Sequence, residues 1–84
     1  MTPELEEYFY NYNTLFNHAG YKQLVEELSN NAQQLADIQT INTQDEFFYR
    51  KGQVAALATV INLESTITAA RDQAEAEAQD ELDV

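Results

Sequence analysis

The stretch TQDEFFYRKGQVAALATVINLE, residues 43–64, decides how this chain folds. It opens with a hydroxyl residue, Thr43, followed three positions later by Glu46, the spacing of a helix capping box. Behind that start no proline interrupts the pattern, and Gly52 is the only glycine. Residues 54–63, VAALATVINL, are apolar on almost every side, as expected of a helix gripped from more than one direction. The spacing predicts one long helix from residue 44 to about residue 79. At 1.5 Å rise per residue its length is roughly 54 Å.

Working outward, the segment before Thr43 carries two shorter helical patterns. Thr2, Pro3 and Glu4 read as an N-cap, a first-turn proline and a first-turn acid. Leu5, Phe9, Tyr12 and Phe16 then recur at three and four residues, with Tyr8 and Leu15 widening the stripe. His18-Ala19-Gly20 reads as a stop, with Gly20 free to take the left-handed conformation and His18 suited to the negative helix end. A second stripe follows through Tyr21, Leu24, Val25, Leu28, Ala32, Leu35 and Ile38, and its period fails near Gln39–Asn42. β-Branched residues never alternate over a useful length, so strands find no support.

The expected fold is all-α: a helical hairpin or small three-helix unit with one long C-terminal helix. Its helices fall at about 3–18, 21–38 and 44–70 or longer, within a single domain over residues 1–70. Two arrangements fit. In one, the first two helices run nearly collinear, bent at Gly20, and pack antiparallel on the third; in the other, three helices bundle and the third projects. Residues 71–84 form an acidic helix end or tail, favouring helix by composition but with little to bury.

Composition narrows the function. The chain has 84 residues, no cysteine and one histidine, His18, which removes disulfides, thiolate metal sites and histidine clusters. A domain this small buries only about 60–65% of its unfolded surface, so association is the remaining route to stability. The apolar belt at Val54–Leu63, which includes Val54, Leu57 and Ile61, exceeds what one partner helix covers, and self-association or a bound partner is expected there. The net charge of −11 disfavours direct binding to nucleic acid or to an anionic membrane, and favours basic protein surfaces. No apolar run reaches membrane-spanning length, and the acidic start MTPELEE does not read as a targeting segment.

No motif for catalysis, cofactor or metal is found. His18 has no nucleophile or base in a recognisable pattern. Ser29 and Ser65 sit in plain helical contexts. The acids Glu75, Glu77, Asp80, Glu81 and Asp83 lack the glycine and ligand spacing of a calcium loop. The candidate contact residues are Tyr10, which points away from the Phe9 stripe, the belt residues Val54, Leu57 and Ile61, and the acids Glu75, Glu77 and Asp80. Phe47 and Phe48 read as anchors of the last helix and Gly52 as a point of close packing. Arg50 and Lys51 read as internal counter-charges, Arg50 pairing with Glu46 and both offsetting Glu4, Glu6 and Glu7.

The segments ELEEYFYNYNTLF (4–16), GYKQLVEEL (20–28) and DEFFYRKGQVAALATVINLE (45–64) resemble small acidic helical proteins encoded by short-tailed (T7-like) bacteriophages. The resemblance covers about residues 4–68 and leaves out the acidic end. Such proteins usually carry no assigned activity, so the resemblance implies an origin and two non-enzymatic roles. One is a minor virion or virion-assembly component contacting a phage structural protein, in copies. The other is a soluble acidic inhibitor that turns its charge on a basic site of a host enzyme or defence complex, by mimicking nucleic acid. Either places the protein in the host cytoplasm or the virion. The acids gather at the chain ends, without regular two-row spacing along a face, which favours the structural role.

Overall fold

The computed structural model describes residues 1–82, with the side chain of Leu82 left aside; the sequence expectation for Asp83 and Val84 lies outside the described residues. The fold is all-α, with four helices and no strand among the described residues. In chain order they are α1 (Pro3–Phe16), α2 (Ala19–Leu35), α3 (Gln44–Ile61) and α4 (Leu63–Leu82), with a single 3₁₀ turn at Ile38–Thr40. α2 packs along α3 and α1 along α4, so the arm α1–α2 returns against the arm α3–α4. This is the hairpin of the two arrangements, and it is long and thin, 58 × 30 × 15 Å.

Each helix start follows from its sequence. Thr2 caps α1 by accepting from the Leu5 amide at 3.2 Å, with Pro3 at the first position. Thr43 accepts from the Glu46 amide at 3.1 Å. Glu46 reaches back one residue further than a regular capping box requires: its Oε2 accepts from the Asn42 amide at 3.3 Å.

The junctions depart from the periodicity. α1 ends at Phe16, and the bend lies at Asn17 and His18 rather than at Gly20. His18 is the N-cap of α2: its Nδ1 accepts from the Gly20 amide at 2.9 Å, and its carbonyl accepts from Lys22. Gly20 therefore lies in the first turn of α2, and neither glycine takes a positive φ. The requirement at Gly20 is space, because a Cβ there would stand 3.1 Å from the His18 ring. α2 stops at Leu35, short of Ile38, because Asp37 Oδ1 captures the Gln39 amide at 3.0 Å and starts a tight turn. Ile38 is left 74% exposed.

The single helix expected from residue 44 is divided at Asn62. There the backbone opens to φ −94° and ψ 8°, and the Asn62 amide is shared between the carbonyls of Ala58 and Val60. The ladder resumes at once, because the Asn62 carbonyl accepts from the amide of Thr66 and also from its hydroxyl at 3.1 Å. A side-chain hydroxyl competing for a helical carbonyl bends the helix without ending it.

The core is small. Phe9, Phe16 and Tyr21 are the only buried hydrophobic side chains among the described residues. Phe16 and Tyr21 belong to a chain of ring contacts from Tyr8 through Tyr12 and Phe16 to Tyr21, which Phe9 joins at Tyr8, with centroids 5.2 to 5.6 Å apart. This chain carries the aromatic stripe of α1 across the bend into α2. Each such contact adds about 0.5–1.5 kcal/mol beyond area burial.

Candidate functional site

Three regions hold the residues that sequence reasoning marked for contact. The first is α3. Its half-buried side consists of Glu46, Arg50, Gln53, Val54, Leu57, Ala58 and Ile61. Val54, Leu57 and Ile61 thus help close the hairpin, and that half of the belt is taken up within the chain. The other half is open. Phe48 is 55% exposed and Tyr49 70%, and Ala55, Ala56, Thr59 and Val60 are exposed along the same side.

Two sequence expectations are corrected on this helix. Phe48 does not anchor α3: it stacks edge-on against Phe47, centroids 5.5 Å apart, and otherwise faces outward. Gly52 is not a point of close packing within the chain, since a Cβ placed there would meet nothing within 4 Å. Helical geometry explains both. Phe48, Gly52 and Ala55 recur at four and three residues on the side opposite Leu57, and Leu57 is the side that α2 covers.

Arg50 is an intramolecular group: it pairs with Glu46 as its spacing predicts, but not with the acids of α1. Its Nη2 pairs with Glu46 Oε1 at 2.7 Å, and its Nη1 donates to Thr40 Oγ1 at 2.6 Å. Nη2 also lies 3.4 Å from the Thr40 carbonyl. Arg50 therefore ties the turn after α2 to the start of α3. Glu4, Glu6 and Glu7 cannot be its partners, because α1 packs on α4 and lies at the other end of the hairpin. Lys51 makes no ion pair among the described residues; it borders an apolar hollow with Leu35, Ile38, Ile41, Phe47 and Val54.

The second region is the end of the hairpin where the two chain ends meet. Met1, Thr2 and Leu5 line a shallow groove with Ala74, Glu77, Ala78 and Glu81. Acids that are far apart in sequence therefore share one pole: Glu4, Glu6 and Glu7 from α1, and Asp72, Glu75, Glu77, Asp80 and Glu81 from α4. Glu75, Glu77 and Asp80 are all exposed there. Sequence reading had the acids at both ends of the chain; the fold joins them.

The third region is α1. Tyr10 is 68% exposed, away from Phe9 as its position on the helix dictates. Tyr8, Asn11, Tyr12 and Leu15 edge a surface hollow on another side of the same helix. Burial by its surroundings, then the neighbouring Tyr12, raises the Tyr8 phenol above its ordinary value.

Between α1 and α4 lies an open pocket of about 140 Å³ lined by Phe9, Asn13, Phe16, Glu64, Ile67, Thr68 and Arg71. Close by, the Tyr21 hydroxyl and Arg71 Nε are buried without a hydrogen-bond partner among the described residues, Arg71 Nε lying 4.0 Å from Asp72 Oδ1. Burial, then the charge of Glu64, raises the Tyr21 phenol. Among the described residues no helix is long and apolar enough to cross a membrane. No protein-family model, curated protein or solved structure matches the chain.

Proposed function

We propose that the protein is non-enzymatic and works by protein–protein contact, as a minor virion or virion-assembly component of a bacteriophage. The observation that carries this reading is the open side of α3. A helix on the surface of a self-sufficient domain keeps charged and polar residues outward. α3 instead presents Phe48, Tyr49, Ala55, Ala56 and Val60 to solvent along one continuous side, with no carboxylate between Phe48 and Val60. Exposed apolar surface of that kind marks an interaction site. The phage setting rests on the resemblance of residues 4–68.

The test is a pull-down from producing or infected cells with the full-length protein and with Phe48→Glu. The proposal predicts recovery of capsid, portal or tail proteins with the wild type and their loss with Phe48→Glu. Recovery of a host polymerase, nuclease or defence subunit would overturn the virion role.

A second reading, a soluble acidic inhibitor acting on a basic site of a host protein, is favoured by the acidic pole. Salt separates the two, because exposed charge attraction is screened within about 8 Å at physiological ionic strength. Binding through the pole falls steeply with salt, whereas apolar packing on α3 persists.

A further inference from the structure

We infer that the open side of α3 is closed by a second copy of this chain, packed antiparallel about a two-fold axis near Ala55 and Ala56. The inference rests on the reading of that side as a contact surface and names its occupant.

The surface area supports a partner of this size. The chain exposes 6531 Å². A folded monomer of 9.6 kDa exposes about 5,100 Å² by the usual scaling of area with mass. The surplus of about 1,400 Å² accommodates the roughly 600–1,000 Å² that each partner contributes to a stable specific interface. A two-arm hairpin is a single layer of helices, and a second layer is the common way for such a layer to bury its apolar side.

Charge selects the occupant. From Phe47 to Leu63 the chain carries no acid and two cations, although its net charge is −11. A basic partner is drawn to the acidic pole and gains nothing from this stretch. Two copies can meet along it without bringing carboxylates together. Charge also sets the direction. Antiparallel packing about Ala55 and Ala56 leaves the two acidic poles on the order of 50 Å apart at 1.5 Å per residue, far beyond the screening length. Parallel packing would set the poles side by side.

The side chains fit a close antiparallel seam. Phe48, Gly52, Ala55 and Thr59 recur at four, three and four residues, the spacing of a helix–helix contact line. Small residues at its centre let two backbones approach closely, which is a role for a helical glycine where an added Cβ would meet nothing within 4 Å among the described residues of its own chain. In this register Gly52 faces the partner's Thr59, and Phe48 reaches the bend at the partner's Asn62.

The test is sedimentation equilibrium of the full-length protein at tens to hundreds of micromolar, for the wild type, Ala55→Glu and Gly52→Ala. Wild type is expected at twice 9.6 kDa. Ala55→Glu places an unpaired charge in the seam and is expected to weaken pairing by about a hundredfold or more. Gly52→Ala is expected to weaken it roughly five- to a hundredfold by overpacking. Circular dichroism should show both variants as helical as the wild type, since both sites are exposed in the single chain. A monomeric wild type, or a dimer indifferent to Ala55→Glu, overturns the inference. If a monomeric wild type still captures another protein through Phe48, self-pairing falls while the contact reading stands.

Discussion

Gly52→Ala changes sign according to what covers α3. Glycine inside a helix costs up to about 1 kcal/mol relative to alanine, through the backbone freedom it loses on folding. A new methyl at Gly52 meets nothing within 4 Å in the single chain, so no steric term offsets that gain. In the monomer the substitution should therefore stabilise by nearly the full amount. For a domain of this length about 1 kcal/mol corresponds to a rise in melting temperature of roughly 4–8 °C. In the pair, the same methyl enters the seam and costs about 1–3 kcal/mol of association. The assay is thermal melting by circular dichroism over a wide concentration range. Dilute variant should melt above dilute wild type, and the order should narrow or reverse as concentration rises. A rise that is the same at every concentration would refute the passage of a seam through Gly52. A fall in dilute solution would refute the open placement of α3 itself.

Three further outcomes follow from the same geometry. Arg50→Met removes the link from α3 to Thr40 and the pair with Glu46, and should lower stability by about 1–2 kcal/mol in urea titration, since the groups are partly exposed. His18→Ala deletes the cap of α2 and should cost about 1 kcal/mol, with His18→Asn restoring most of it. Tyr21→Phe removes a buried hydroxyl with no partner and should be neutral or stabilising by up to about 1 kcal/mol at neutral pH. The Tyr21 phenol is raised above its ordinary 10.0 by burial and then by Glu64. The unfolded phenol therefore ionises first, so stability is full below pH 10 and falls as pH rises through the higher folded value. Tyr21→Phe should reduce the alkaline loss measured by pH-dependent melting, leaving the share that comes from the raised Tyr8 phenol.

Local signals in the sequence placed most of the helices, because they depend on near neighbours. Thr2–Pro3 and Thr43–Glu46 announce the starts of α1 and α3, and the stripes of α1 and α2 show which sides turn inward. The failures share a cause: each hinged on a side chain competing for backbone groups or on a contact distant in sequence. His18 reads as the end of one helix until its imidazole is seen on the Gly20 amide, starting the next. Asn62 has good helical neighbours on both sides, and only the Thr66 hydroxyl on its carbonyl reveals the bend. Ile38 fits the α2 stripe, yet Asp37 diverts the chain just before it.

The candidate site was legible as composition but not as direction. Residues 54–63 are apolar all round, so periodicity could not say which half α2 would cover. Val54, Leu57 and Ile61 turned inward, leaving Phe48, Ala55, Ala56 and Val60 outside. The acidic pole was hidden for a different reason. Its two halves lie some seventy residues apart, and only the closing of the hairpin brings Leu5 beside Ala78.

The most direct measurement on α3 uses a single introduced cysteine, since the chain has none of its own. Helix axes about 8 Å apart, with Cα atoms on cylinders of about 2.3 Å radius, bring facing Cα atoms within disulfide reach. Ala55→Cys should form a disulfide-linked dimer rapidly under mild oxidation in the full-length protein, while Asn30→Cys, on the exposed polar side of α2, should not. Equal rates at the two positions would mean that the copies meet only by collision, and the paired α3 seam would be contradicted.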